Sequence, residues 1–196
     1  MIRIGLTGGI GSGKTMVSTL LGVLGVPVYD SDERTKALYD EDESLKSALK
    51  NRFGELLFEG GRLNRGMLAE LIFSDCKALS DVNALVHPVV EADFRCWAKK
   101  QTAPFVVQES AILFEAGLAP FCDVVVVVSA PEELRIQRVC KRNSCSAESV
   151  RERMQWQLKE NERLAQADMV VVNDDVKALI PQVLSLKSTL QRTILN

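Results

Sequence analysis

The stretch that most constrains this chain is Gly5-Leu-Thr-Gly-Gly-Ile-Gly-Ser-Gly-Lys-Thr15, which gathers five of the twelve glycines into nine residues and follows them with Lys14 and Thr15. Before it, Ile2–Leu6 is a short, mostly apolar run; after it, Met16–Leu24 carries apolar residues at helical spacing until Gly25. The opening therefore reads strand, glycine loop, helix. Gly8-x-x-x-x-Gly13-Lys14-Thr15 has the spacing at which backbone N–H groups curl around a polyphosphate at a helix N-terminus. With Gly8 opening the loop, the amides of Gly9, Ile10, Gly11, Ser12, Gly13, Lys14, Thr15 and Met16 would line the cradle. Lys14 would reach the β- and γ-phosphates as a point charge, and the Thr15 hydroxyl would give one oxygen ligand to an octahedral Mg²⁺ shared with the nucleotide.

Four further β-branched runs, Val26–Tyr29, Phe105–Val107, Val124–Val128 and Met169–Val172, are separated by stretches long enough for helical crossovers. With the first run they make five buried strands of a parallel sheet. Between the second and third strands, Ser31–Gln101 is helical in composition, shows no strand pattern and is far longer than one crossover requires. It is expected to form a helical subdomain over about 31–101, with breaks at Phe53–Gly54, Phe58–Gly61 and His87–Pro88 and helices over Arg65–Phe73 and Val89–Lys99. Pro131 opens a helix through Arg142, a polar turn follows at Asn143–Ser146, and Glu148–Ala165 is again helical. These pieces belong to a helical lid over about 114–160. Asp174 or Asp175 is expected to cap a last helix that Pro181 kinks or delays. The fold class is α/β: a three-layer P-loop fold with a five-stranded parallel sheet, the insertion and the lid, all one domain over 1–196.

Strand C-termini open into the ligand crevice of such a sheet. Asp30 and Asp32 end the second strand, where an i, i+2 spacing points both side chains the same way, although Ser31 or Asp32 would serve equally as a helix cap. Aspartate, with an ordinary pKa of about 3.9, is too weak to deprotonate an alcohol in the ground state, so such an acid orients the acceptor and takes its proton late. Glu109 ends the third strand, near the metal or as a solvated strand-end charge. In Leu134–Arg142, Arg135, Arg138, Lys141 and Arg142 are basic with no acid between, and Arg138 and Arg142 lie one helical turn apart. Arginines on a mobile cover suit the charge that spreads over a transferring phosphoryl group. His87, the single histidine, is either structural or an acceptor contact, and Trp97 and Trp156 read as packing residues.

A hydrophobic share of 46%, a charged share of 26% and a formal net charge of -2 describe an ordinary globular chain and give no basis for binding nucleic acid. The longest apolar run, Val124–Val128, is far short of the ~20 residues that span a bilayer, so no membrane partner is expected. Five scattered cysteines without a C-x-x-C pair fit reduced thiols in the cytoplasm rather than zinc or disulfides. Neither N-K-x-D with D-x-x-G nor LSGGQ occurs, which argues against a guanine-specific switch and an ABC-type ATPase.

Taken in order, GLTGGIGSGKT (5–15), VPVYDSD (26–32), RLNRGMLAELIF (62–73), VNALVHPVV (82–90), ESAILFEAG (109–117), RVCKR (138–142) and ADMVVVND (167–174) resemble the dephospho-coenzyme A kinase family, P-loop kinases similar to adenylate kinase, over nearly the whole chain. The resemblance implies Mg²⁺-dependent transfer of the γ-phosphoryl group of ATP to the ribose 3′-hydroxyl of dephospho-CoA, the last step of coenzyme A synthesis. It implies catalytic roles for Lys14, Arg138 and Arg142, with Asp32 at the family's proposed base position. It also puts Leu113, Phe114 and Glu115 in the acceptor cleft, where the residue reading places Asp30, Asp32 and, as an acceptor contact, His87, and it puts the insertion on the CoA side. Ala111 and Arg135 depart from a proline and a glutamine common in the family, which affects local contacts. The competing readings are another small-molecule kinase, such as a nucleoside monophosphate kinase, and a nucleotide switch that transfers nothing. A monomer is expected, with a homo-oligomer as the alternative.

Overall fold

The computed structural model describes residues 1–195, and their side chains except at 73 and 193–195. The chain divides into two compact units, one made of residues 1–30 with 101 onward and the other of Ser31–Lys100.

In the first unit, β1 (Ile2–Thr7) is followed by α1 (Lys14–Val23) and β2 (Val28–Asp30). After the second unit come β5 (Phe105–Glu109), β6 (Val124–Ser129), α6 (Glu132–Asn143), α7 (Ala147–Met154), α8 (Glu160–Ala165), β7 (Met169–Val172) and α9 (Leu179–Leu195). The five strands form the expected parallel sheet, in the order β2-β5-β1-β6-β7. A parallel strand covered on both faces must be apolar along its buried length, and β6 is: Val125, Val126, Val127 and Val128 are all buried, and only the C-terminal Ser129 is polar.

Alternate residues then feed two separate cores. Val126 and Val128 join Ile4, Leu6 and Val107 against Val17 and Leu21 of α1 and Val183, Leu186 and Leu190 of α9. Val125 and Val127 face the other way, onto Leu113, Leu118 and Leu164. Each fully buried Val or Leu contributes roughly 1.5–3 kcal/mol, so these two faces are the main source of stability and make the three layers.

Two expectations for this unit differ from the structure. The helix expected over 148–165 is interrupted between Met154 and Glu160, because residues there turn to bond other segments. Asp174 accepts from the Val176 and Lys177 amides, closing a local turn rather than capping α9. That helix starts later, at Leu179, and leaves Pro181 in its first turn, where the missing N–H costs nothing. On the outer side of β7, the Val172 amide donates to Gln182 Oε1 (2.9 Å) and the Val172 carbonyl accepts from Gln182 Nε2 (2.9 Å).

The second unit contains α2 (Ser31–Glu41), α3 (Glu43–Phe53), a hairpin of β3 (Phe58–Glu59) and β4 (Arg62–Leu63), α4 (Arg65–Ser74) and α5 (Cys76–Ala98). Asp42, Asn64 and Asp75 cap α3, α4 and α5 by accepting from Leu45 N, Met67 N and Lys77 N. The hairpin was not expected: two-residue strands are too short to show an alternating pattern, and the turn is made by Gly60 and Gly61 at φ 57 and 80. Nor does the chain break at His87–Pro88. The 23-residue α5 runs through Pro88, and Ala78, Val82, Val86, Val90 and Phe94 form a buried stripe that outweighs the one lost backbone bond.

Burial holds the His87 imidazole below its usual range, so the folded chain carries it neutral at pH 7. The unfolded imidazole, with a pKa near ~6.5, binds a proton that the folded one refuses; stability is therefore full above that pH and falls as pH drops through the folded value. Urea midpoints measured from about pH 7.5 to pH 5 should decline, and His87→Asn should flatten the decline. An unchanged slope in that variant would rule out His87 as its source.

Candidate active site

The site is built at the N-terminal end of α1. Gly13 is its N-cap, in the left-handed region at φ 93, with no side-chain cap and no acidic residue in the first turn. The helix thus presents its free amides and positive end without a counter-charge. A side chain at Gly13 would meet Asn173 Nδ2 at 2.1 Å, so the position is closed to anything but glycine on two grounds. Ser12 N donates to Gly9 O (3.0 Å), tightening the loop, and Lys14 Nζ donates to Gly8 O (3.1 Å), which holds its ammonium across the loop mouth. Thr7 Oγ1 and Ser12 Oγ are buried without a hydrogen-bond partner among the described residues.

Three side chains clamp this loop from outside. Asn173, just past β7, donates to Ser12 O (2.8 Å). Gln157 accepts from Ile10 N (2.8 Å) and donates to Ala111 O (3.0 Å), tying the loop to the segment after β5. Arg138 of α6 lies 3.5 Å from Gly11 O and pairs with Asp175 at 2.5 Å. A second set of contacts continues the Gln157 tie: Leu158 N donates to Glu115 Oε1 (2.7 Å), and Arg163 donates to Leu158 O (2.7 Å) and Glu160 (2.9 Å), while Ser129 Oγ donates to Glu160 (2.7 Å).

Of the residues singled out from sequence, the structure brings Gly8–Met16 and Arg138 together. Arg142 is exposed and its Nε bonds Asn143 Oδ1 (3.0 Å), while Arg135 of α6, 6% exposed, reaches the loop together with Arg138. Asp30 and Glu109 are direct partners across β2 and β5, level with Leu6 on β1, so both carboxylates stand at the strand edge from which the loop springs. Asp32 does not continue β2: it sits exposed in the first turn of α2, so the strand-alternation argument fails for the pair. Asp32 and His87 belong to the second unit. Leu113 is fully buried in the sheet's second core with Phe114 against it, and Glu115 makes the polar contact.

Gln157, Arg163, Asn173 and Asp175 were not expected. Asn173 and Asp175 follow a strand C-terminus and could have been found by the rule used for Asp30. Gln157 and Arg163 lie in a polar, helix-like run that carries no such signal.

A parallel sheet whose central strand runs into this loop, with α1 behind it and the basic α6 over it, defines a P-loop kinase. The family model for dephospho-CoA kinase matches residues 2–178. The dephospho-CoA kinase of Bacteroides fragilis is 43% identical over 194 residues, 98% of this chain and 95% of its own length. That of Porphyromonas gingivalis is 44% identical over 192 residues, 97% and 95%. The crystal structure of TT1252 from Thermus thermophilus superposes with a TM-score of 0.84 at 36% identity, covering 97% of each chain. The chain belongs to the dephospho-CoA kinase family.

Proposed function

We propose that the chain's residues divide the work of an ATP-dependent dephospho-CoA kinase, the activity of its family, as follows. The α1 amides and Lys14 hold the triphosphate. Asp32 orients the ribose 3′-hydroxyl of dephospho-CoA, whose oxygen bonds the γ-phosphorus as the bond to the β,γ-bridging oxygen breaks; ADP leaves, and the hydroxyl proton passes late to Asp32. The helical Ser31–Lys100 unit takes the CoA side, and the stretch over 114–160 acts as a lid that keeps water from the phosphoryl group. The protein works as a monomer in the cytoplasm, where its five free thiols stay reduced.

Mg²⁺ fits the residues present. The described residues offer no cluster of three or more metal-ligating side chains, but Mg²⁺ commonly takes one or two protein ligands and fills its shell from phosphates and water. The Thr15 hydroxyl and Glu109, with Asp30 beside it, supply that number. When bound, the ion neutralises charge on the β- and γ-oxygens.

The observation that carries this reading is the uncapped, acid-free start of α1 with Lys14 across the loop mouth. The test is to incubate the purified protein with Mg-ATP and, separately, dephospho-CoA, AMP or no acceptor. One ADP per CoA formed is expected with dephospho-CoA alone. Phosphorylation of AMP instead, or slow hydrolysis without transfer, would overturn it.

A further inference from the structure

We propose that Arg135 and Arg163 together form a receptor for the terminal phosphoryl group of the nucleotide, a step that rests on the ATP reading above. Arg135 is 6% exposed, and its guanidinium makes no hydrogen bond or ion pair with any described residue; Nε is fully buried. Its Nε is dry and unpaired while the outer nitrogens keep solvent contact beside a cavity, and a guanidinium so largely removed from water with no paired anion is poorly compensated. Arg163 is 1% exposed, and its Nε is likewise buried without a partner, while its two outer nitrogens are held by Glu160 and the Leu158 carbonyl.

Both groups converge on one point of the loop. A methyl on Gly9 would lie 2.1 Å from Arg135 Nη1 and 3.3 Å from Arg163 Nη1. Both also line a cavity of ≈ 710 Å³, whose wall carries Arg151 and Lys159 as well. Gly9 is at the strand end of the loop, away from the α1 amides, so the pair extends the anion site beyond what the helix start covers. The unengaged Arg135 fork, with the remaining N–H of Arg163 Nη1 beside it, matches the oxygens of one phosphoryl group. Bound ATP satisfies the pair, whereas bound ADP leaves it as it is in the ligand-free protein.

Arg135→Met separates this from a packing role. Removing the uncompensated charge should raise the melting temperature of the ligand-free protein. It should weaken binding of a non-hydrolysable ATP analogue by about 10- to 100-fold and of ADP by less than about 3-fold, with Arg135→Lys between. Inorganic phosphate titrated onto the ADP complex should bind the natural protein and not Arg135→Met. Equal losses for analogue and ADP, or no loss, would overturn the proposal whichever way the melting temperature moves. Failure of the natural protein to bind either nucleotide would instead overturn the ATP reading.

Discussion

Lys14→Met is expected to lower kcat/KM for Mg-ATP by about 10³-fold while leaving the fold intact. The ammonium donates to the Gly8 carbonyl within the loop, and methionine keeps a side chain of similar length there. What disappears is a positive charge at the loop mouth, on a side chain long enough to follow the phosphoryl group from donor to acceptor. The helix amides cannot replace it, because they are fixed in α1. The measurement is steady-state ADP release beside a melting curve, with the midpoint expected within about 2 °C of the natural protein. A loss under tenfold would remove Lys14 from the chemistry.

Asp32→Asn should lower kcat by about 10²–10⁴-fold with ATP affinity kept within about 3-fold. The carboxylate is exposed in the first turn of α2, where a bland helix-end role is a real competitor. The two readings differ in what they move. A carboxylate that merely favours the positive end of α2 contributes about 0.3–1 kcal/mol of stability and nothing to turnover. Asparagine keeps the shape but is a far weaker proton acceptor, so kinetics and a denaturant midpoint on the same variant decide between them. Near-normal turnover with a lowered midpoint would leave Asp32 as a helix-end residue.

The sheet was legible because its strands are apolar, mostly β-branched runs, and Val124–Val128 and Met169–Val172 are such runs with no help from context, although Val170 of the edge strand is 46% exposed. The glycine loop was legible for the opposite reason: its backbone conformations exclude side chains, so Gly11 and Gly13 announce themselves. Pro88 misled because one missing hydrogen bond was weighed without the stripe from Ala78 to Phe94 that holds α5 together. Strand alternation could not link Asp30 with Asp32, because β2 ends at Asp30 and α2 begins at Ser31. Among the arginines, helical spacing put Arg138 and Arg142 one turn apart, and Arg138 does reach the loop, but spacing cannot say that Arg135 covers it as well. That depends on how α6 is seated by Ile136 and Val139, which are buried beside Val150. Gln157 was invisible because its partners, Ile10 and Ala111, are far away in sequence and both are backbone groups.

The contact between Gln182 and Val172 has a meaning for the molecule in a crowd. An edge strand offers a ladder to which any extended peptide can zip itself, and β7 is such an edge. By answering both the amide and the carbonyl of Val172, one carboxamide imitates a neighbouring chain and occupies the rung where recruitment would begin. Self-association through this border is thereby discouraged by a side chain with no part in phosphoryl transfer.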